Sequence, residues 1–155
     1  MTFPAVTRSL LLAALCTACV GALAATTARV DDTGTSLDSI TRMYWRQIAP
    51  SRKIDNTMEG TAQVQVRLNL APWTGRAGRL FLVLPNQTIG PIRASWPAHG
   101  RFLAGELRAG QRALVYAGPI NSPVMEELLT LKLEVDGTRL QAIERLNFHF
   151  EIDVD

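Results

Sequence analysis

Few residues in this chain have the chemistry for a reaction. His99 and His149 are its two imidazoles. His149 stands two positions before Glu151, and on a β-strand that spacing puts both side chains on one face, which is enough for two metal ligands. Structural zinc takes four ligands and catalytic zinc three, and no HExxH, CxxC or histidine cluster supplies the remainder. A serine nucleophile needs a histidine base and an acid, but there is no GxSxG elbow. Glu126 with Glu127, and Glu151 with Asp153, have the types for an acid and base pair. Their setting is an exposed strand face or loop, where carboxylates chiefly solvate the surface. No glycine-rich loop has the dinucleotide or Walker spacing. The expectation is a non-enzyme with no catalytic residue, no metal and no cofactor.

Aromatic residues offer one binding surface. Trp73 follows Ala71 and Pro72 at a strand end, Trp96 precedes Pro97, and Tyr116 precedes Gly118 and Pro119. Gathered at one rim and flanked by Arg93 and Arg101, these rings would form an apolar platform for a sugar ring or a partner side chain. The competing reading makes them plugs of the core, the commoner role for tryptophan in a small sandwich.

The elements that must position these side chains are strands. Val64, Val66, Leu68 and Leu70 alternate with polar residues, as do Leu129, Leu131, Leu133 and Val135, and then Leu146, Phe148, Phe150 and Ile152. A period of two gives each strand one dry and one wet face, the mark of an antiparallel sheet covered on one side. Shorter β-like runs at 79–84, 91–96, 101–108 and 112–117 lie between them, punctuated by Gly and Pro about every ten residues. Asp136 and Gly137 read as a tight hairpin, because both central positions of a type I′ turn need positive φ. The expected fold is all-β, an immunoglobulin-like antiparallel β-sandwich of seven or eight strands occupying 61–155.

Residues 1–24 read as a cleaved secretory signal peptide, with Arg8, an apolar run over 9–15, and small residues flanking Leu23, so that cleavage falls after Ala24. Acylation at Cys19 and an uncleaved anchor over 9–28 compete with it. Cys16 and Cys19 both lie within the signal, so the exported chain has no disulfide and must hold itself by its core. Residues 25–60 form an N-terminal arm: 26–36 is polar and aperiodic and reads as flexible. Leu37, Ile40, Tyr44 and Ile48 fit a short helix, while 40, 44 and 48 also share a strand face. Of 16 basic residues only Lys53 and Lys132 are lysine, an arginine bias that points to a bacterial, GC-rich genome.

Charge is unevenly placed. Residues 71–125 carry six arginines against Glu106, and 126–155 carry eight acids against Lys132, Arg139 and Arg145. Strands from the two segments lying side by side would pair these charges within one molecule; a basic face meeting an acidic face on the next molecule would instead give head-to-tail assembly. The near-neutral exported chain offers no case for nucleic acid, and cleavage leaves no stable membrane span. Strand layout, export and the missing catalytic constellation together resemble, in architecture, bacterial immunoglobulin-like envelope domains such as pilin subunits and their chaperones. The chain departs from a typical pilin in having no disulfide after cleavage and no alternating apolar pattern over 26–36. Export, the missing catalytic constellation and the complementary charge blocks point to a non-enzymatic periplasmic or surface module acting by protein contact as a subunit or assembly factor, with an envelope or surface protein as partner or with itself. Its terminal strand would pair with its own sheet or complete a neighbour's. The alternative is a periplasmic or secreted domain binding carbohydrate or a small ligand through Trp73, Trp96 and Tyr116.

Overall fold

A computed structural model describes residues 26–37, 41–47, 55–87, 91–139 and 146–154. The proposed signal peptide, both cysteines, Ile40 and Ile48 lie outside the described residues. Ten strands appear: β1 (Thr26–Arg29), β2 (Ser36–Leu37), β3 (Met43–Trp45), β4 (Thr57–Asn69), β5 (Ala77–Leu84), β6 (Ile92–Trp96), β7 (Gly105–Arg108), β8 (Gln111–Pro119), β9 (Val124–Asp136) and β10 (His149–Val154). They form two antiparallel sheets, β1-β10-β5-β8 and β2-β4-β9-β6-β7, with β3 also pairing β4. The helical element among the described residues is a single 3₁₀ turn, Ala71–Trp73.

The alternating patterns make a two-sheet β-sandwich because each strand has one apolar row to hide. Val64, Val66 and Leu68 of β4 and Leu129, Leu131 and Leu133 of β9 face inward from one sheet. Leu80 and Leu82 of β5 and Phe150 and Ile152 of β10 meet them from the other. β4 and β9 pair over their full length, from Thr57 opposite Asp136 to Asn69 opposite Val124. Phe102, in the connection between β6 and β7, adds a buried ring stacked 6.3 Å from Phe150.

The seven strands β4 to β10 match the seven or eight expected over 61–155, but the sheets also take in three short strands, β1 to β3, from the N-terminal region. Two expectations are corrected. Thr26 to Arg29 is an ordered edge strand on β10, not a flexible tail. Val30 then turns inward, 1% exposed, its N–H donating to Phe150 O at 2.9 Å. From there the chain crosses to the other sheet and follows β4, with Asp31 opposite Asn69, Ser36 opposite Gln65 and Trp45 opposite Met58. This ribbon therefore covers an edge of each sheet. The partner of its backbone groups is distant in sequence, so local apolar periodicity carries no trace of it.

The second correction concerns Asp136 and Gly137. No residue there has positive φ, which excludes a type I′ turn. Asp136 instead accepts from the Thr138 backbone N–H and hydroxyl, and Arg139 N donates to Asp136 O at 3.0 Å. β9 does not fold back on itself: the next described strand, β10, belongs to the opposite sheet. Glycine is needed at 137 for space, since a Cβ would lie 2.5 Å from the Trp45 ring. β10 sits between β1 and β5, so both of its backbone edges are paired and its apolar row is in the core, leaving it unavailable to complete another molecule's sheet.

Candidate functional site

β3 presents two large aromatics in succession. Alternation sends neighbouring side chains to opposite faces, so a strand with one dry face can bury only one of them. Met43 and Trp45 turn inward over residues without bulk: Met43 lies opposite Gly60, and Trp45 covers Gly137 and Met58. Tyr44 points outward opposite Glu59 and is 64% exposed, while Trp45 retains 46% exposure at the sandwich margin. Together with Leu37 on β2, these are exposed large apolar residues strung along the β4 side of one sheet.

Beside Tyr44 runs a row of alternating charge that crosses the sheet. Arg46 bonds Glu59, reaches Glu134 at 3.0 Å, and lies 3.8 Å from Asp55. Lys132 lies 3.0 Å from Glu59 and 3.7 Å from Glu134, and Arg93 stands 3.9 Å from Glu134 and 2.6 Å from Glu106. Each charge has opposite-sign neighbours on adjoining strands, the arrangement in which cross-strand pairs favour the sheet. Hydrogen bonds from Arg46 and then Lys132 hold the Glu59 carboxyl below its ordinary value. The bond from Arg93 does the same for Glu106, and bonding to Glu59 and Glu134 raises Arg46. The row is an ordered polar border beside Tyr44, each charge already held by its neighbours.

The outer face of the other sheet carries a second network. Arg112 of β8 passes over the Phe81 ring, 4.2 Å from its centroid, to reach β10. There it donates twice to Asp153, at 3.2 Å each, and once to Glu151 at 3.4 Å. The Thr27 hydroxyl of β1 donates to Asp153 at 2.6 Å. His149 Nε2 stands 3.4 Å from Glu151 Oε1. Every member is tied to another, and among the described residues no group of three or more His, Cys, Asp or Glu is arranged to hold a metal.

The five residues of the expected rim occupy different environments. Trp96 is 4% exposed, its indole N–H donating to Leu103 O at 2.9 Å. Gly105 opposite leaves room for the ring, since a Cβ there would fall 2.6 Å from it. Trp73, after the β4 end, and Tyr116, beside the bulge in β8, are partly buried against the core, and the Tyr116 hydroxyl donates to Pro119 O at 2.8 Å. Arg93, three residues before Trp96, lies on the opposite face of β6 in the charge row. Arg101 bonds Glu127 at 2.5 Å. The structure thus does not gather Trp96 and Arg93 onto one surface. His99 lies in an exposed loop, in a bridge with Phe102.

Among the described residues, ion pairs join the basic and acidic segments within the molecule: Arg93 with Glu134, Arg101 with Glu127, and Arg112 with both Glu151 and Asp153. The aromatics that are exposed, Tyr44 and Trp45, were missed as binding candidates because Tyr44 alone entered a periodic pattern. The signal was their adjacency, followed directly by Arg46. Among the described residues no helix is long and apolar enough to cross a membrane. No protein-family model matches the chain, and no curated protein shows significant similarity to it.

Proposed function

We propose that this chain is an exported, non-enzymatic immunoglobulin-like β-sandwich that acts by protein contact, as a subunit or assembly factor of a bacterial envelope or surface structure. The observation that carries the reading is the Tyr44 and Trp45 edge: two adjacent, exposed aromatics on one strand, bordered by the ordered row from Arg46 to Arg93. Aromatic anchors beside arginine are the residue types that dominate protein contacts, and a border of fixed ion pairs excludes water around them. Export rests on the leader-like pattern of residues 1–24.

Arg93, Arg101 and Arg112 of the basic block pair with acids of the acidic block within the molecule, which favours a different protein as partner over head-to-tail stacking of copies. The alternative of a sugar platform at Trp96 is weakened by burial of that ring. The reading is tested by sizing the tagged protein, released gently from its native envelope, on a column. Wild type should elute in an assembly larger than one chain, and Tyr44→Ala should elute as the single folded chain. Wild type eluting alone, or Tyr44→Ala retained in the same assembly, contradicts it.

A further inference from the structure

At one end of the larger sheet a groove of about 420 Å³ crosses the margins of β4, β9, β6 and β7. Its size is at the lower end of small-ligand sites, which span roughly 300–1,000 Å³. Arg93 and Arg108 line it and are direct cross-strand partners on β6 and β7. Like charges placed opposite one another disfavour the pairing unless something offsets them. Arg93 has its offsets in Glu106 and Glu134. The Arg108 guanidinium makes no hydrogen bond or ion pair among the described residues, and Glu106 feels it only through space.

Two acids also line the groove, and both are committed elsewhere. Glu134 is shared by Arg46, Lys132 and Arg93. Asp136 is held by the Thr138 hydroxyl and backbone N–H, with Arg139 at 3.8 Å. Among the described residues, the charge in the groove without a bonded counter-ion is therefore positive and sits on Arg108. A monoanion fits this balance, whereas a dianion such as phosphate would meet Glu134 and Asp136 as well. Of the apolar residues that line the groove, Pro91 is exposed, while Ile92 and Val135 are buried beneath it as its floor.

We propose that this groove is a carboxylate site in which Arg108, beside Arg93, grips the anion through its planar fork while the exposed ring of Pro91 receives the apolar group attached to it. The fork matches a carboxylate in a bidentate manner that lysine does not reproduce. Two sources carry this chemistry: the free C-terminus of a partner chain ending in an apolar residue, and a small branched-chain organic acid.

The test is a ¹H–¹⁵N titration of the folded chain with N-acetyl-alanyl-leucine and with isocaproate, each also as its primary amide. At least one acid should shift the Ile92, Arg93 and Arg108 signals saturably, with its amide about tenfold weaker or more. Arg108→Gln should remove that preference at unchanged melting temperature, and Arg108→Lys should keep part of it. Tighter binding of the peptide identifies a chain end as the ligand; equal or tighter binding of isocaproate identifies a free acid. Equal shifts from acids and amides, no saturable shift from either acid, or an acid preference surviving in Arg108→Gln would overturn the proposal.

Discussion

Arg112 and Asp153 are joined by two parallel hydrogen bonds of 3.2 Å although a whole strand, β5, separates theirs. The guanidinium bridges that strand by lying on Phe81, so one side chain covers an outward-facing ring and neutralises an aspartate that is only 7% exposed. Thr27 completes the clasp from β1. The edge strand of this sheet is thereby tied, through Asp153, to the strand on its far side.

Removing the cation should leave Asp153 short of partners in a nearly buried position. Arg112→Leu is expected to destabilise the fold by about 1–3 kcal/mol, the cost of a buried polar group losing its bonds. Urea unfolding at neutral pH measures this, and a loss no larger than that of an ordinary surface substitution would count against the clasp.

The same aspartate sets an acid dependence. The Thr27 hydroxyl, and then Arg112, hold its carboxyl below the ordinary value, against the opposing effect of burial. A group lowered in the folded state contributes stability that is fully present above its unfolded pKa, about 3.9, and is lost as pH falls through the lower folded value. Wild type should therefore lose stability more steeply than Asp153→Asn below about pH 4, with Asp153→Asn less stable at pH 7. Parallel unfolding curves for the two proteins from pH 7 down to 2 would contradict the assignment.

Trp96 and Tyr44 should respond oppositely to truncation. Trp96→Ala removes a core ring and is expected to cost about 3–5 kcal/mol. Tyr44→Ala, at an exposed position, should stay within about 0.5 kcal/mol of wild type. Gly105→Ala should destabilise by about 1–3 kcal/mol through overpacking against the Trp96 ring. That penalty should shrink when Trp96 is Phe, and a double-mutant cycle reads the coupling.

The N-terminal ribbon should behave as core structure. Val30→Ala is expected to cost about 2 kcal/mol from lost burial. The Val30 amide, bonded to Phe150 O, should exchange with solvent on the slow timescale of the sheet. Fast exchange there would restore the reading of 26–36 as a flexible arm.

Where burial follows local alternation, the sequence discloses the strand. Val64 to Leu68, Leu129 to Val135 and Phe150 to Ile152 all place their apolar rows inward, and the shorter runs after Leu70 emerge as β5 to β8. Where position depends on distant partners, local pattern is silent. Thr26 to Arg29 is polar yet ordered, because its backbone is satisfied by β10 some 125 residues away. Asp136 and Gly137 do enter a turn, closed from Arg139 N to Asp136 O, but without the positive φ of a hairpin turn, and the glycine also leaves space for Trp45. The site was legible least of all. Tyr44 is exposed because adjacent residues cannot both face the core, a rule visible in the sequence, but the marginal position that exposes Trp45 and the charged row assembled from β4, β6, β7 and β9 exist only in the fold.

The most direct test of protein contact through this edge is photocrosslinking in the native host, with p-benzoylphenylalanine at position 44 and, as a control on the same outer face, at Gln63. Contact through β3 is expected to give one discrete adduct of defined mass from position 44, diminished by Trp45→Ala in the same chain, and none from position 63. No adduct at 44, or the same adducts from both positions, would contradict the account.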